Sequence, residues 1–309
     1  MREPLYICNP RVDCEVCGNR RRQRKSCDAC LRTGYARIDL QDSWKLTDQS
    51  AAFLVCGGPS LNNVPLDCLQ ERGVMSLGVN NAAAYARTSA AVFGDPQWKF
   101  HSSMFFDPKC LVFAPNAKLV RHVRMQDSDT KEFHVSNYQL KDCPNVYGFC
   151  RSGQFHPDTF FSDWYAHWGQ GGKQSDRDFT RLATMIMGIR LLHYLGIREI
   201  YMLGVDFWMT SEQPYAWGGN KTSGNRIWPK LNKMLVKIKE MSAKAGVSIY
   251  NCNPDSRCDI FTYVPYEQAI GTMSEPFGDG VYDLTQWYER GTMEAHKQVR
   301  PDPVSAFFA

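Results

Sequence analysis

The stretch Ala51-Ala52-Phe53-Leu54-Val55-Cys56-Gly57-Gly58-Pro59-Ser60-Leu61 decides the fold. Its first half is a short apolar run of strand type, and Gly57-Gly58-Pro59-Ser60 breaks it sharply. Glycine lets the backbone approach a phosphate closely, and a helix following Ser60 would aim free N–H groups at an anion. A strand that ends in a glycine turn is the phosphate cradle of many α/β folds. This turn, however, is neither the three-glycine dinucleotide fingerprint nor a Walker loop with its lysine.

The same grammar recurs downstream. The apolar segment 74–79 ends in Asn80-Asn81 and leads into the helix-like AAAYA. Ala90–Phe93 ends in Gly94-Asp95-Pro96. From Phe179 to Leu195 the apolar residues Leu182, Met185, Ile186, Ile189 and Leu192 fall at helical spacing, and Gly196 supplies the stop. The strand-like 199–205 runs into Asp206. A second helix over 231–246 precedes Val247–Tyr250, which ends in Asn251-Cys252-Asn253-Pro254. Polar residues thus recur where each strand finishes. In an open parallel sheet that edge binds ligands, so Ser60, Asn80, Asn81, Asp95, Asp206 and Asn253 are expected to converge on one crevice. The fold class is α/β: a doubly wound (Rossmann-like), mostly parallel sheet with a small N-terminal zinc-binding module. The expected division is 1–45 for the module, 46–275 for the main domain and 276–309 for a helical cover built on Leu284, Trp287 and Tyr288.

Composition supports this class. The 309 residues are 43% hydrophobic and 22% charged, which excludes bulk disorder. No apolar run approaches 18 residues and the N-terminus lacks the h-region of a signal peptide, so a cytoplasmic protein with no membrane partner is expected. Its twelve cysteines should accordingly be mostly reduced. Of 36 Lys/Arg and 32 Asp/Glu, nine and five lie in residues 1–40, which leaves 27 of each elsewhere. The basic excess is therefore N-terminal, with Arg20, Arg21, Arg22, Arg24 and Lys25 in one run. Such a run suits phosphate contacts; the competing reading is a solvated loop.

Around that run stand Cys14-x2-Cys17 and Cys27-x2-Cys30. Two such pairs suit tetrahedral zinc, because each curls as a knuckle presenting two thiolates to one ion. Cys8 lies close enough in sequence to compete as a ligand. A segment this short has no core of its own, so metal should supply most of its folding energy. A closed four-thiolate site has no open position for chemistry, which makes the expected zinc structural and the module's expected role recognition or docking.

The set VCGGPSL, VNNAAAYA, GDP, RLATMIMGIRLLHYLGIREIYMLGVDF and IYNCNPDS, in that order over about 51–265, resembles the bacterial sialyltransferases of glycosyltransferase family 42. It is equally similar to the wider, phage-common group that includes hydroxymethylpterin diphosphokinase-like proteins. The resemblance implies a nucleotide-sugar donor, with a cytidine nucleotide held by Gly58, Pro59, Ser60 and Asn80, and Gly57 in the same turn. It also places Arg181 and Thr184 at the start of the long helix as substrate-binding residues, joined by Asn81 and Asn253 from the strand-end pattern. It further implies inverting chemistry without a catalytic metal, in which the leaving phosphate needs hydrogen-bonding partners and the acceptor hydroxyl needs a base.

One departure matters. Such transferases carry a base histidine in the lid after the GVDF-like strand, and here residues 208–228, WMTSEQPYAWGGNKTSGNRIW, contain none. The candidates for a catalytic base are His167, Asp206 and Asp95, with Glu212 as a further carboxylate; Asp206 could instead cap a helix or hold a ribose. Trp164, Tyr165, Trp168, Trp208, Tyr215, Trp217 and Trp228 crowd the flanking stretches and suit stacking on a sugar or base. The expected function is glycosyl transfer to a hydroxyl, with hydroxylated DNA reached through the basic N-terminal loop as one acceptor. Diphosphate transfer to a pterin-like alcohol and a non-catalytic nucleic-acid adaptor are the alternatives.

Overall fold

The computed structural model describes residues 5–273 apart from 39, 41–50, 71–72, 96, 98–99, 101, 108–109, 127–132, 153, 168–182, 211, 219–224 and 226–227. The proposed C-terminal cover, and the part of the long helix before Ala183, lie outside the described residues. In chain order the strands are β1 (Ile7–Asp13), β2 (Tyr35–Arg37), β3 (Ala51–Val55), β4 (Ser76–Val79), β5 (Ala90–Val92), β6 (Leu111–Pro115) and β7 (His122–Gln126). They continue with β8 (Phe133–Gln139), β9 (Val146–Phe149), β10 (Arg151–Ser152), β11 (Ala166–His167), β12 (Glu199–Leu203), β13 (Ser248–Asn251) and β14 (Thr262–Tyr263).

Ten of these form one sheet in the order β14-β13-β12-β3-β4-β5-β6-β9-β1-β2. Every neighbour from β14 to β9 is parallel, and β1 and β2 extend the edge antiparallel. The chain therefore enters at β3, winds one way through β4, β5 and β6, and later returns to β12 on the other side of β3. The winding reverses between β3 and β12, and a sheet of this kind leaves its ligand crevice outside the carboxyl ends of those two strands.

Both faces are covered, as parallel sheets require. On β3, Ala52 and Leu54 enter the core shared with helices Thr184–Tyr194 and Trp228–Lys244. Phe53 and Val55 face the opposite core with Ala82 and Ala269, from helices Ala82–Ala86 and Tyr266–Met273. This alternation is the period of two read on a strand buried on both sides. Close packing explains two glycines. A Cβ on Gly188 would lie 2.6 Å from Leu54 Cδ1, and one on Gly78 would lie 2.6 Å from both Ala83 Cβ and Thr88 Oγ1.

Helix Thr184–Tyr194 also carries a buried charge. Arg190 has 0% exposure; its Nη2 donates to the Asp163 carbonyl at 3.0 Å and its Nη1 lies 3.4 Å from His193 Nδ1. Because the guanidinium can only donate, His193 Nδ1 is the acceptor and its ring is neutral. Burial, then the charges of Arg190 and Arg198, push the His193 pKa down to about 3.

Two predictions follow from this packing. Gly78→Ala should lower unfolding free energy by about 1–3 kcal/mol through overpacking, measured by urea denaturation. For His193 the folded pKa lies below the ordinary value of 6.5, so the unfolded chain takes up the proton first on acidification. Stability should thus fall as pH drops from about 6.5 towards 3, and His193→Gln should flatten that part of the stability profile.

Candidate functional site

Parallel register brings the tips after β3, β12 and β13 to one edge, and hydrogen bonds lock them together. Cys56 N–H donates to the Leu203 carbonyl at 2.8 Å, and Gly58 N–H to the Gly204 carbonyl at 2.9 Å. The Asp206 carboxylate then accepts from Ser60 N–H at 2.9 Å, from Ser60 Oγ, and from Asn253 Nδ2 at 2.8 Å. The Asp206 carbonyl accepts from Arg257 N–H at 2.9 Å. Ser60, Asp206 and Asn253, singled out from the sequence on three separate strand ends, thus form one cluster.

The geometry changes what these residues do. The expected helix after Ser60 is a 3-10 turn, Pro59–Asn63, and both Ser60 donors point to Asp206 instead of an open anion site. The glycines answer to protein neighbours as well. A Cβ on Gly58 would lie 2.6 Å from Asp206 Oδ2 and from the Gly204 carbonyl, and one on Gly57 would overlap the six-membered ring of Trp217. Gly204 has φ +64°, where its missing Cβ avoids the Cys56 carbonyl.

Trp217 belongs to the segment after β12, which folds down over the glycine turn. Ala216 N–H donates to the Gly57 carbonyl at 3.0 Å, and Asn62 Nδ2 to the Ala216 carbonyl at 2.8 Å. The Tyr215 and Trp217 rings stack at 5.1 Å. Farther out, Trp208 is 43% exposed with the Arg257 guanidinium 3.5 Å from its ring centroid. Trp168 lies outside the described residues.

Asn80, at the tip of β4, holds φ +57°, a conformation asparagine tolerates better than most residues, and its Oδ1 is buried without a hydrogen-bond partner. Its neighbour Asn81 gives its carbonyl to Tyr85 N–H at 3.0 Å. Asp95, at the tip of β5, acts electrostatically on Arg151 and on Tyr215. Arg151 follows β9, and its Nη1 donates to the Gly94 carbonyl at 2.8 Å. Burial lowers the Arg151 pKa and Asp95 opposes that shift, while burial first and Asp95 second raise the Tyr215 phenol. Nothing in the sequence analysis singles out Arg151; the apolar run 146–150 before it is the available signal.

The other candidates are placed differently. His167 sits in β11 with 0% exposure, packed against Phe155, His156 and Phe160, with Nδ1 3.1 Å from the Gln154 carbonyl. Its Nε2 lies 3.8 Å from Asp163 Oδ2, and burial lowers its pKa. The ring is therefore packed in the interior and closed to solvent. Thr184 begins the long helix, half-buried; Arg181 lies outside the described residues. Glu212 is exposed.

At the other end of the sheet, the sulfurs of Cys14, Cys17, Cys27 and Cys30 all lie within 4.8 Å of one another. Cys14 and Cys27 Sγ are 3.9 Å apart, and Cys17 and Cys30 Sγ 3.7 Å. A tetrahedron with metal–sulfur bonds of about 2.3 Å has sulfur–sulfur edges of about 3.8 Å, so the four could hold one ion. Cys8 stands apart from them: its Sγ donates to Asn116 Oδ1 at 3.1 Å. Arg20, Arg21, Arg22 and Lys25 are exposed on and beside the short helix Arg21–Arg24. Among the described residues no helix is long and apolar enough to cross a membrane.

No family model matches the chain, and no curated protein matches it in sequence. Among solved structures it is similar to the sialyltransferase CstII from Campylobacter jejuni bound to cytidine-5'-monophosphate, with 13% identity over 76% of this chain and 92% of that chain, at a TM-score of 0.38. The same enzyme with CMP-3FNeuAc aligns with 14% identity over 70% and 87%, at 0.37. With CMP and a trisaccharide acceptor it aligns with 14% identity over 76% and 93%, at 0.33. Similarity of this degree says nothing of this chain's own ligand or chemistry.

Removing the Asp206 carboxylate leaves the donors of Ser60 and Asn253 without their acceptor. Asp206→Ala should therefore cost about 2–4 kcal/mol in denaturant unfolding and loosen all three tips at once. Hydrogen exchange at the Ser60 amide reports the loosening directly.

Proposed function

We propose that the chain is a glycosyltransferase that takes a sugar from a nucleotide-activated donor, bound at the β3/β12 switch point, to a hydroxyl acceptor. The observation that carries this reading is the junction of the 57–60, 204–207 and 251–258 tips on Asp206 at the place where a doubly wound sheet binds its ligand. The motif resemblance over about 51–265 favours a cytidine donor.

In this reading the roles differ from residue to residue. Asp206, Ser60 and Asn253 set the shape of the cradle that Gly57, Gly58 and Pro59 line. The unpartnered Oδ1 of Asn80 accepts an N–H or O–H of the nucleotide. Tyr215 and Trp217 cover the donor, and Asn81 and Thr184 complete the pocket. Inverting displacement passes through an oxocarbenium-like state, so the leaving phosphate gains from a cation; Arg151 supplies one at this edge. Asp206 already accepts three hydrogen bonds and His167 is packed in the core, so Asp95 is the proposed base for the acceptor hydroxyl.

Zinc on Cys14, Cys17, Cys27 and Cys30 is structural in this scheme. The exposed Arg20, Arg21 and Arg22 favour a nucleic-acid acceptor, a hydroxylated base in DNA. The module's strand β1 lies five strand steps from β3, roughly 24 Å at about 4.8 Å per step, so such an acceptor would span several nucleotides between the two.

Calorimetric titration with cytidine nucleotides should show binding that Asn80→Ala weakens by about 1–3 kcal/mol. Asp95→Asn should keep that affinity while lowering transfer by about 10²-fold or more. Equal affinity in the Asn80 variant would remove the crevice from the reading, and transfer that depends on magnesium would favour the diphosphate reaction. Mass spectrometry of nucleosides from DNA incubated with the protein and CMP-sugar identifies the acceptor; unmodified DNA beside a modified saccharide would turn the reading to glycans.

A further inference from the structure

The four-cysteine knuckles and the crevice wall that carries Arg151 are joined by a short chain of hydrogen bonds centred on Tyr6. On the knuckle side, Thr33 Oγ1 donates to the carbonyl of the metal-site residue Cys30 at 2.8 Å, and Gly34 N–H approaches Cys30 Sγ at 3.4 Å. The Tyr6 phenol donates to the Tyr35 carbonyl at 3.0 Å, and Tyr35 N–H in turn donates to Thr33 Oγ1 at 3.2 Å. On the wall side, Tyr6 N–H donates to the Trp164 carbonyl at 3.1 Å, and the Tyr6 carbonyl accepts from Cys150 N–H at 3.3 Å. Ala166 N–H in turn donates to the Cys150 carbonyl at 2.8 Å.

Those bonds frame β10 and β11, where Arg151 pairs with Ala166 and Ser152 with His167. Ring contacts reinforce the junction: Tyr6 stacks on Trp164 at 6.4 Å, and the Arg37 guanidinium lies 5.0 Å from the Trp164 ring centroid. Cys8 and Cys150 are further tied through Asn116, which accepts from one sulfur and donates to the other, each at 3.1 Å. Tyr6 is fully buried, so its phenol depends on these partners. β10 and β11 are two residues each, too short to hold themselves by their own ladder.

We propose that Tyr6 is a positioning residue through which the metal-bound knuckles hold the β10–β11 pair, and with it Arg151, against the crevice, so that occupancy of the four-cysteine site sets donor affinity. This deepens the glycosyltransferase reading and rests on it only for the ligand. Metal orders the knuckles, the ordered knuckles fix Thr33 and Tyr35, and these fix the Tyr6 phenol. Loss of the metal releases that end of the strut and leaves the β10–β11 pair, and Arg151 with it, held by the core packing of Ala166 and His167.

The test is hydrogen exchange on the full chain, zinc-loaded and chelator-stripped, read at the amides of Cys150 and Ala166 with β3 and β12 as internal reference. Stripping should speed exchange at both amides at least ten-fold while the reference strands hold. In the zinc-loaded protein, Thr33→Val should produce a smaller increase at the same amides and weaken cytidine-nucleotide binding about five-fold, and Thr33→Ser, which keeps the hydroxyl, should restore both. If stripping unfolds the reference strands as well, the zinc-loaded Thr33→Val protein decides. Unchanged exchange at Cys150 and Ala166 in that variant, or a stripped protein in which only residues 8–37 loosen, would overturn the proposal. Exchange is measured without nucleotide, so it stands or falls separately from the donor assignment.

Discussion

Asp206 is the constraint on which the junction of the strand tips depends. A carboxylate at the end of β12 receives the backbone and hydroxyl of Ser60 from the β3 tip and the amide of Asn253 from the β13 tip. Two neighbouring strands in a parallel sheet need no such tie to stay paired, but their tips diverge as the sheet twists. A half-buried acceptor with three donors from two other loops removes that freedom. The glycines around it follow from the tie: only residues without a Cβ allow the turns at 57–58 and 204 to approach this closely.

The polar strand ends foreseen as ligand contacts therefore divide into two sets. Ser60, Asp206 and Asn253 build the cradle. Asn80 and Asp95 stand at the neighbouring tips, where Arg151 and Tyr215, not among the foreseen strand ends, join them; an unpartnered amide oxygen and a half-buried cation are among these groups. The first set makes a rigid floor and the second supplies the groups that a ligand could engage. Rigid scaffolds that carry a few placed polar groups are the usual construction of a small-molecule site.

Much of this was legible in the sequence. Apolar runs closed by GGPS, NN, GD and VD mark buried parallel strands, and their polar ends predict the edge where Ser60, Asp206 and Asn253 meet. The two CxxC pairs predict the sulfur cluster from spacing alone. What stayed hidden depends on partners far apart in the chain. That β1 and β2 extend the main sheet beyond β9 is set by backbone pairing, which leaves no side-chain pattern. His167, flanked by glycines and aromatics, reads as a site residue until the rings of Phe155 and Phe160 close around it. Trp217 over Gly57, and Tyr6 against Trp164 and Cys150, are contacts between segments more than a hundred residues apart.

The most direct test of this account is a crystal structure of the protein grown with a cytidine nucleotide. Electron density for the nucleotide outside the carboxyl ends of β3 and β12, with a polar atom in hydrogen-bonding reach of Asn80 Oδ1, is the predicted result. Density for the nucleotide on another surface, with the switch-point crevice holding only solvent, would contradict it.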